Sequence, residues 1–377
     1  MLKRREPLSD SNLLLLISVC IFAILYILAM ALFGGSFLTF NHFFDLFNNN
    51  APLIILACGL SIVMVGGGID ISVGGVTAMI TMACAVHLSS PLGNEWAAMS
   101  IALCIGLAFG LVQGFLVSYL EIQPFIITLA GMFFAKGMTT VIALAASDDN
   151  TVKNINIDHE GFSQLRSTKL EIPFLGRYAN NGNFIPAKIE IGMMVAVLVV
   201  IAVIVLLKWS RFGRNLYAVG GNKQSALMLG INVKRTKFFS YVVCGLLAGI
   251  AGFIYILKSP SGNVSNASGF EMKAIASSII GGTMLTGGVG NIIGSPVGVL
   301  TLMTIDAFVV SSRLTSKWSF IQSLAGGVVL GLAILLQSVV LSSRAKGSLK
   351  LATPEWLKTR SKQSDDDDAH IEERQRN

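Results

Sequence analysis

Asp70, Lys136 and Asp306 stand deepest inside apolar runs, with Glu271 and Lys273 near the end of another. An ionisable group at membrane depth is costly unless it meets a partner or a water-filled cavity, so each marks a place where an ion or a polar solute is handled. Asp70 carries the strongest signal. It lies in Val65-Gly66-Gly67-Gly68-Ile69-Asp70-Ile71-Ser72-Val73-Gly74-Gly75, between the apolar stretches Ile54–Val65 and Val76–Val86. Five glycines in eleven residues do not propagate a helix. Lipid tolerates a broken backbone only where it is buried in protein or lines a cavity. The expectation is a helix break beside a path for something polar. Asp70 would pin the broken segment by reaching amides at a helix N-terminus, or Lys136 if the fold brings it close. Lys136 itself reads as the neutralising partner of a nearby acid.

Other chemistry is hard to assemble. The four histidines are His42, His87, His159 and His370, with no H-E-x-x-H and no G-x-S-x-G. No Gly-Lys dipeptide occurs, which excludes a phosphate-binding G-x-x-x-x-G-K-[ST] loop. Cys20, Cys58, Cys84, Cys104 and Cys244 all fall in apolar runs without a C-x-x-C, supporting neither disulfides nor a metal. The chain is therefore expected to be a non-enzyme with no cofactor and no metal of its own. Energy for transport must come from an ion gradient or another protein.

The elements that position these residues follow from composition. Of 377 residues, 53% are hydrophobic and 13% charged, too apolar for a soluble domain. The net charge of +7 comes from basic residues beside apolar spans, which points to topology rather than to nucleic acid. The fold class is an all-α membrane protein, a bundle of about ten transmembrane helices with Gly-rich breaks and both termini cytoplasmic. Spans are expected near 13–33, 51–67, 76–88, 96–120, 125–146, 189–207, 238–257, 272–284, 292–310 and 320–341, with 37–50 lying along the outer interface. Residues 1–343 form the transmembrane domain and 344–377 a disordered cytoplasmic tail rich in acids. Segment 147–187 carries acids and is assigned outside; 208–237 carries none and is assigned to the cytoplasm. Gly106, Gly110 and Gly114, and again Gly245 and Gly249, recur every four residues and put close-packing faces on two spans. A second glycine cluster, Gly281 to Gly290, falls in the other half of the chain. In the cytoplasmic segment, Lys223 to Leu229 is helix-prone and closed by Gly230, a short helix suited to a groove on a soluble partner.

Four motifs in order carry a family resemblance: Gly67-Gly68-Ile69-Asp70-Ile71-Ser72-Val73-Gly74, Phe125 to Met132, Arg211-Phe212-Gly213 through Gly221-Asn222, and Ile280-Gly281-Gly282-Thr283 through Gly287 to Gly290. The order resembles permease subunits of bacterial ribose-type ABC sugar importers. The nearest likeness is to the galactofuranose importer permeases, from which the long outer segment and the acidic tail depart. The resemblance implies an inner-membrane permease paired with a second copy or a related permease. It also implies a cytoplasmic ATPase that binds the ATP, a periplasmic sugar-binding protein and a monosaccharide substrate. Path residues are then expected at Gly68, Asp70, Ser72, Gly74, Thr128, Phe133, Lys136, Gly282, Thr283 and Gly288. ATPase coupling is expected at Arg211, Gly221, Asn222, Ala226, Gly230 and Ile231. The rival is a stand-alone ion-coupled carrier using Asp70; an intramembrane enzyme lacks a nucleophile and base.

Overall fold

A computed structural model describes residues 10–34, 37, 39–147, 151–178 and 183–311, with positions 324, 327, 328, 331 and 335. The molecule divides into a unit of residues 1–330 and a second of 331–377; of the second, positions 331 and 335 are described and both are helical. The expected span 320–341 lies outside the described residues apart from the helical positions 324, 327, 328, 331 and 335, and the tail 344–377 lies outside them entirely.

In chain order the helices begin with α1 (Asp10–Phe33), α2 (Phe40–Val65), α3 (Val73–Leu88), α4 (Glu95–Ser118) and α5 (Pro124–Ala145). Then come β1 (Ile155–Asn156), α6 (Glu160–Ser167), β2 (Lys169–Tyr178) and β3 (Phe184–Glu190). They are followed by α7 (Ile191–Trp209), α8 (Arg211–Gly221), α9 (Lys223–Met228), α10 (Val233–Lys258), β4 (Ser261–Gly262), α11 (Phe270–Ile280) and α12 (Gly294–Ser311). Among the described residues α1, α2, α4, α5, α7, α10 and α12 are long and apolar enough to cross a membrane.

The core is α2 and α10. Every residue from Ala51 to Val65 is buried, so this half of α2 is apolar on all sides and surrounded by other helices. Along α10 the glycine spacing does what close packing requires. A Cβ on Gly106 of α4 would lie on the carbonyl of Gly245 and 2.8 Å from Gly249 Cα, and one on Gly110 would lie 3.0 Å from Val242 Cα. The two main chains touch, which brings backbone dispersion and weak Cα–H contacts within range.

Two expectations are corrected. Residues 40–50 are not a separate segment but the first turns of α2, capped by Thr39 Oγ1 accepting from His42 N at 3.3 Å. Their asparagines are used by β3: Asn48 Nδ2 donates to Lys188 O at 2.7 Å and its Oδ1 accepts from Glu190 N at 3.0 Å, while Asn41 Nδ2 donates to Pro186 O at 3.2 Å. The expected full span at 272–284 is instead the 11-residue α11. At 1.5 Å per residue it covers about 17 Å, roughly half a bilayer core. The 16-residue α3 is short as well.

The polar segment after α5 is ordered rather than a plain loop. β2 and β3 pair antiparallel, Lys169 opposite Glu190 and Tyr178 opposite Phe184. β1 pairs with β4, Ile155 opposite Gly262, which joins the 151–190 and 258–269 segments at one end of the bundle. Ser89 Oγ donates to Asn156 O at 3.2 Å and adds the α3–α4 turn to the same end. The segment carrying α8 and α9 occupies the opposite end, beside the α4–α5 turn, where Glu121 pairs with Lys223 and Lys234.

Candidate functional site

The site is assembled where α3 and α11 begin. Gly66 to Ser72 carry no helix, and Gly67 takes φ 75°, a left-handed conformation that suits glycine. Asp70, 3% exposed, is held by the turn it sits in: its Oδ1 accepts from Ser72 N at 2.9 Å and from Ser72 Oγ at 2.6 Å. Of the two partners expected for Asp70, the amide at the start of α3 is the one it has. Ser72 Oγ also lies 3.2 Å from Gln113 Oε1 of α4. Gly68 leaves room for Tyr241, whose hydroxyl donates to Ile69 O at 3.2 Å and would lie 2.6 Å from a Cβ at position 68.

Lys136 pairs with Glu271 in the first turn of α11, Nζ to Oε1 3.5 Å, and not with Asp70. Gly74 makes this possible, because a Cβ there would occupy the space of the Glu271 carboxylate. Lys273 pairs with Asp306 of α12 at 2.9 Å. Gln113 Nε2 and Glu271 Oε2 are buried with no hydrogen-bond partner among the described residues. Buried polar atoms are rarely left so. Both flank the first turn of α3, which gives this region spare donor and acceptor capacity for a polar solute.

The other expected path residues separate. Thr128 is buried and donates to Pro124 O within its own helix at 2.9 Å. Phe133 is 64% exposed on the outward side of α5, away from the Asp70 network. Gly282, at φ 90°, packs on Leu14 of α1, and Thr283 Oγ1 reaches Ser61 Oγ at 3.5 Å, itself 2.7 Å from Ser295 Oγ.

Gly288 belongs to a different structure, a joint of three glycine segments. Its N–H donates to Val65 O at 2.9 Å, at the last residue of α2. A Cβ on Gly220 of α8 would fall on that same Val65 carbonyl and 2.6 Å from Gly288 N. A Cβ on Gly287 would sit 2.8 Å from Gly67 Cα and 3.0 Å from Gly220 O. Tyr217, one turn back on α8, donates its hydroxyl to Gly290 O at 2.9 Å. The C-terminal end of α8 is therefore wedged, main chain on main chain, between the two glycine breaks. Gly221, the residue expected here, is exposed and has open space at its Cβ; the tight position is Gly220, one residue earlier.

Beyond the joint, Asn222 caps α9 by accepting from Ser225 N at 2.9 Å, and Gly230, at φ 76°, closes it, with Ile231 N donating to Ala226 O at 3.0 Å. Ala226 does not point outward as a docking contact must. It is 1% exposed, in a small core with Val219 and Val233 on which Ala218 and Ile231 pack. The outward side chains are Leu227, Met228 and Leu229, at 52%, 88% and 76% exposed. Arg211, at the first turn of α8, is exposed as well. The clue to that outward triplet is present in the sequence as three adjacent apolar residues in an otherwise polar segment.

Residues 43–337 match the family described as branched-chain amino acid transport system / permease component. The chain is 34% identical over 321 residues to the fructose import permease protein FruG of Bifidobacterium longum, spanning 85% of this chain and 88% of that one. To the ribose import permease protein RbsC of Escherichia coli it is 32% identical over 303 residues, 80% and 87% of the two chains. The D-allose transport system permease protein AlsC of Escherichia coli is 32% identical over 287 residues, 74% and 81% of the two. No solved structure matches the chain.

Proposed function

This chain belongs to that family as a ribose-type monosaccharide ABC importer permease, a multi-pass protein of the bacterial inner membrane, and on that premise we propose how it carries its sugar inward. A separate ATP-binding-cassette subunit binds and hydrolyses ATP and docks on the α8–α9 end, which the acid-free charge of 208–237 assigns to the cytoplasm. The observation that carries the reading is the joint at Gly220. The exposed Leu227-Met228-Leu229 face takes up the movement of the ATPase, and α8 passes it to the ends of both glycine breaks at once. The starts of α3 and α11 then shift together, and the path alternates between its two openings.

Within the path, Gln113 Nε2 and Glu271 Oε2 meet sugar hydroxyls in passing, Ser72 holds Gln113, and Lys136 holds Glu271. The carboxylate of Asp70 is held by Ser72 through its amide and its hydroxyl, which supports a pinning role and disfavours an exchangeable ion site. A periplasmic sugar-binding protein docks at the hairpin end, where β1 joins β4, and a second permease copy or a related chain completes the channel. The relatives' names place ribose, fructose and allose on related chains, and a monosaccharide of that class, galactofuranose among the candidates, is the proposed substrate.

The test is reconstitution with and without an ATPase subunit of a ribose-type importer. Met228→Asp with Leu229→Asp should lower ATP-driven uptake and ATPase binding by at least about tenfold, as loss of apolar anchors does, with folded yield retained. Proton-driven uptake by the chain alone, or full uptake in the double variant, would overturn the proposal.

A further inference from the structure

A cavity of about 610 Å³ opens at the hairpin end between α6, the β2–β3 pair and the helices α2, α7 and α10. Its wall holds four cations, Arg166, Lys169, Lys188 and Lys258, against one acid, Glu190. Glu190 already serves two of them: Lys169 Nζ lies 2.9 Å from Oε1 and Lys258 Nζ 2.9 Å from Oε2, so this cluster keeps a charge of +1. Lys188 pairs with Glu171, an exposed acid outside the lining, at 2.7 Å. Arg166 forms no ion pair with a described residue and adds another positive charge.

The floor is of a different character. Ile191, Ile254 and Leu257 line it, at the first residue of α7 and the last turns of α10, both helices long and apolar enough to cross the membrane. The N-terminal end of α7 also opens here without a side-chain cap, so the free amides of a 19-residue helix add positive potential to the wall's own charges. Further along α7, Leu198 and Ile201 are 67% and 56% exposed and continue the apolar surface away from the cavity. A cationic wall above an apolar floor at the end of two spans has the chemistry of a lipid interface site.

We propose that this cavity binds the phosphodiester headgroup of an anionic phospholipid, its phosphate among Arg166 and the three lysines and its acyl chains running down α7. Concavity and the apolar floor favour a lipid over the acidic surface of a soluble protein, which would need no access to span ends. The site goes beyond the transport reading and does not depend on it.

The experiment uses the full chain assembled with its transporter partners in nanodiscs of phosphatidylcholine with or without phosphatidylglycerol, followed by delipidation and native mass spectrometry. Wild type should retain phosphatidylglycerol and lose phosphatidylcholine. Arg166→Gln with Lys188→Gln leaves the Glu190 cluster intact and should weaken retention of phosphatidylglycerol roughly thirtyfold, from two basic residues at the interface. Equal retention of the two lipids by wild type would overturn the proposal, as would undiminished phosphatidylglycerol in the variant. Inorganic phosphate protecting the protein from heat as well as phosphatidylglycerol does would assign the cavity to a free anion instead. A variant that keeps phosphatidylglycerol but loses association with the soluble sugar-binding protein would assign it to that protein. The readout requires no transport, so failure of the permease reading leaves it standing.

Discussion

Where α8 meets the two glycine breaks, main chain touches main chain; where α6 and the β2–β3 pair cover α2, α7 and α10, long charged side chains touch one another. The first contact has no rotamers to absorb a displacement, so a push on α8 moves Val65, Gly67 and Gly288 together. The second is built from flexible stems in partly exposed ion pairs, each worth little by itself. A stiff end transmits motion and a compliant end accommodates it. Substitutions at the two ends should therefore differ sharply in effect.

The largest difference is expected at Gly220. Gly220→Ala forces a carbon against the Val65 carbonyl, an overpacking that costs about 1–3 kcal/mol and should cut ATP-coupled uptake per folded transporter by roughly ten- to a hundredfold. Gly221→Ala, its neighbour with open space, should stay within about twofold of wild type. Equal effects at the two positions would erase the contrast. Next in size is Lys136→Met, which strands the buried Glu271 without its cation and should lower folded yield in line with a loss of about 3 kcal/mol. Adding Glu271→Gln should restore most of that yield in a thermal-stability assay.

Asp70→Ala removes the acceptor of the turn and should cost about 1–3 kcal/mol, reducing folded protein and uptake together. Asp70→Asn keeps the shape and should retain partial uptake at all pH values. Complete loss of uptake in a folded, ATPase-coupled Asn variant would make the charge part of the transport step. The smallest effect belongs to the compliant end. Burial works to raise the Glu190 carboxyl, yet hydrogen bonds from Lys258 and Lys169 hold it below its ordinary value. Its contribution is present above the ordinary carboxylate range near 4.3 and is lost as pH falls through the lowered value. The melting temperature of wild type should thus fall on acidification from pH 5 to 3 by slightly more than that of Glu190→Gln, a difference under about 1 kcal/mol.

Much of this contrast is legible in the residues. The spacing of Gly106, Gly110, Gly114, Gly245 and Gly249 announces close faces, and the α4–α10 seam uses them. The spacing cannot say which faces meet. The break at 66–72 is visible as glycine, and the pinning of Asp70 by a nearby amide follows from its position. Helix α8 is not visible: Arg211 to Gly221 contains three glycines, and its helix is maintained by contacts with α2 and the second break that override propensity. Phe40–Asn50 misleads for a related reason, because its asparagines are satisfied by β3, a partner some 140 residues away. The strand pair does leave a local trace in the alternation Lys169-Leu170-Glu171-Ile172. The ion pairs Lys136–Glu271 and Lys273–Asp306 join residues on different helices and need the fold to be seen.

The bare Leu227-Met228-Leu229 surface also bears on how cells count subunits. A chain synthesised in excess of its ATPase leaves three adjacent apolar side chains in water, at the end of a six-residue helix that rests on a core of three buried residues. Such a loop opens readily, and its opened form is what chaperones and proteases bind. Surplus permease would then be cleared through the same three residues that the proposed ATPase docking covers, so that the amount of stable protein in the membrane follows the supply of its partner and not its own rate of synthesis.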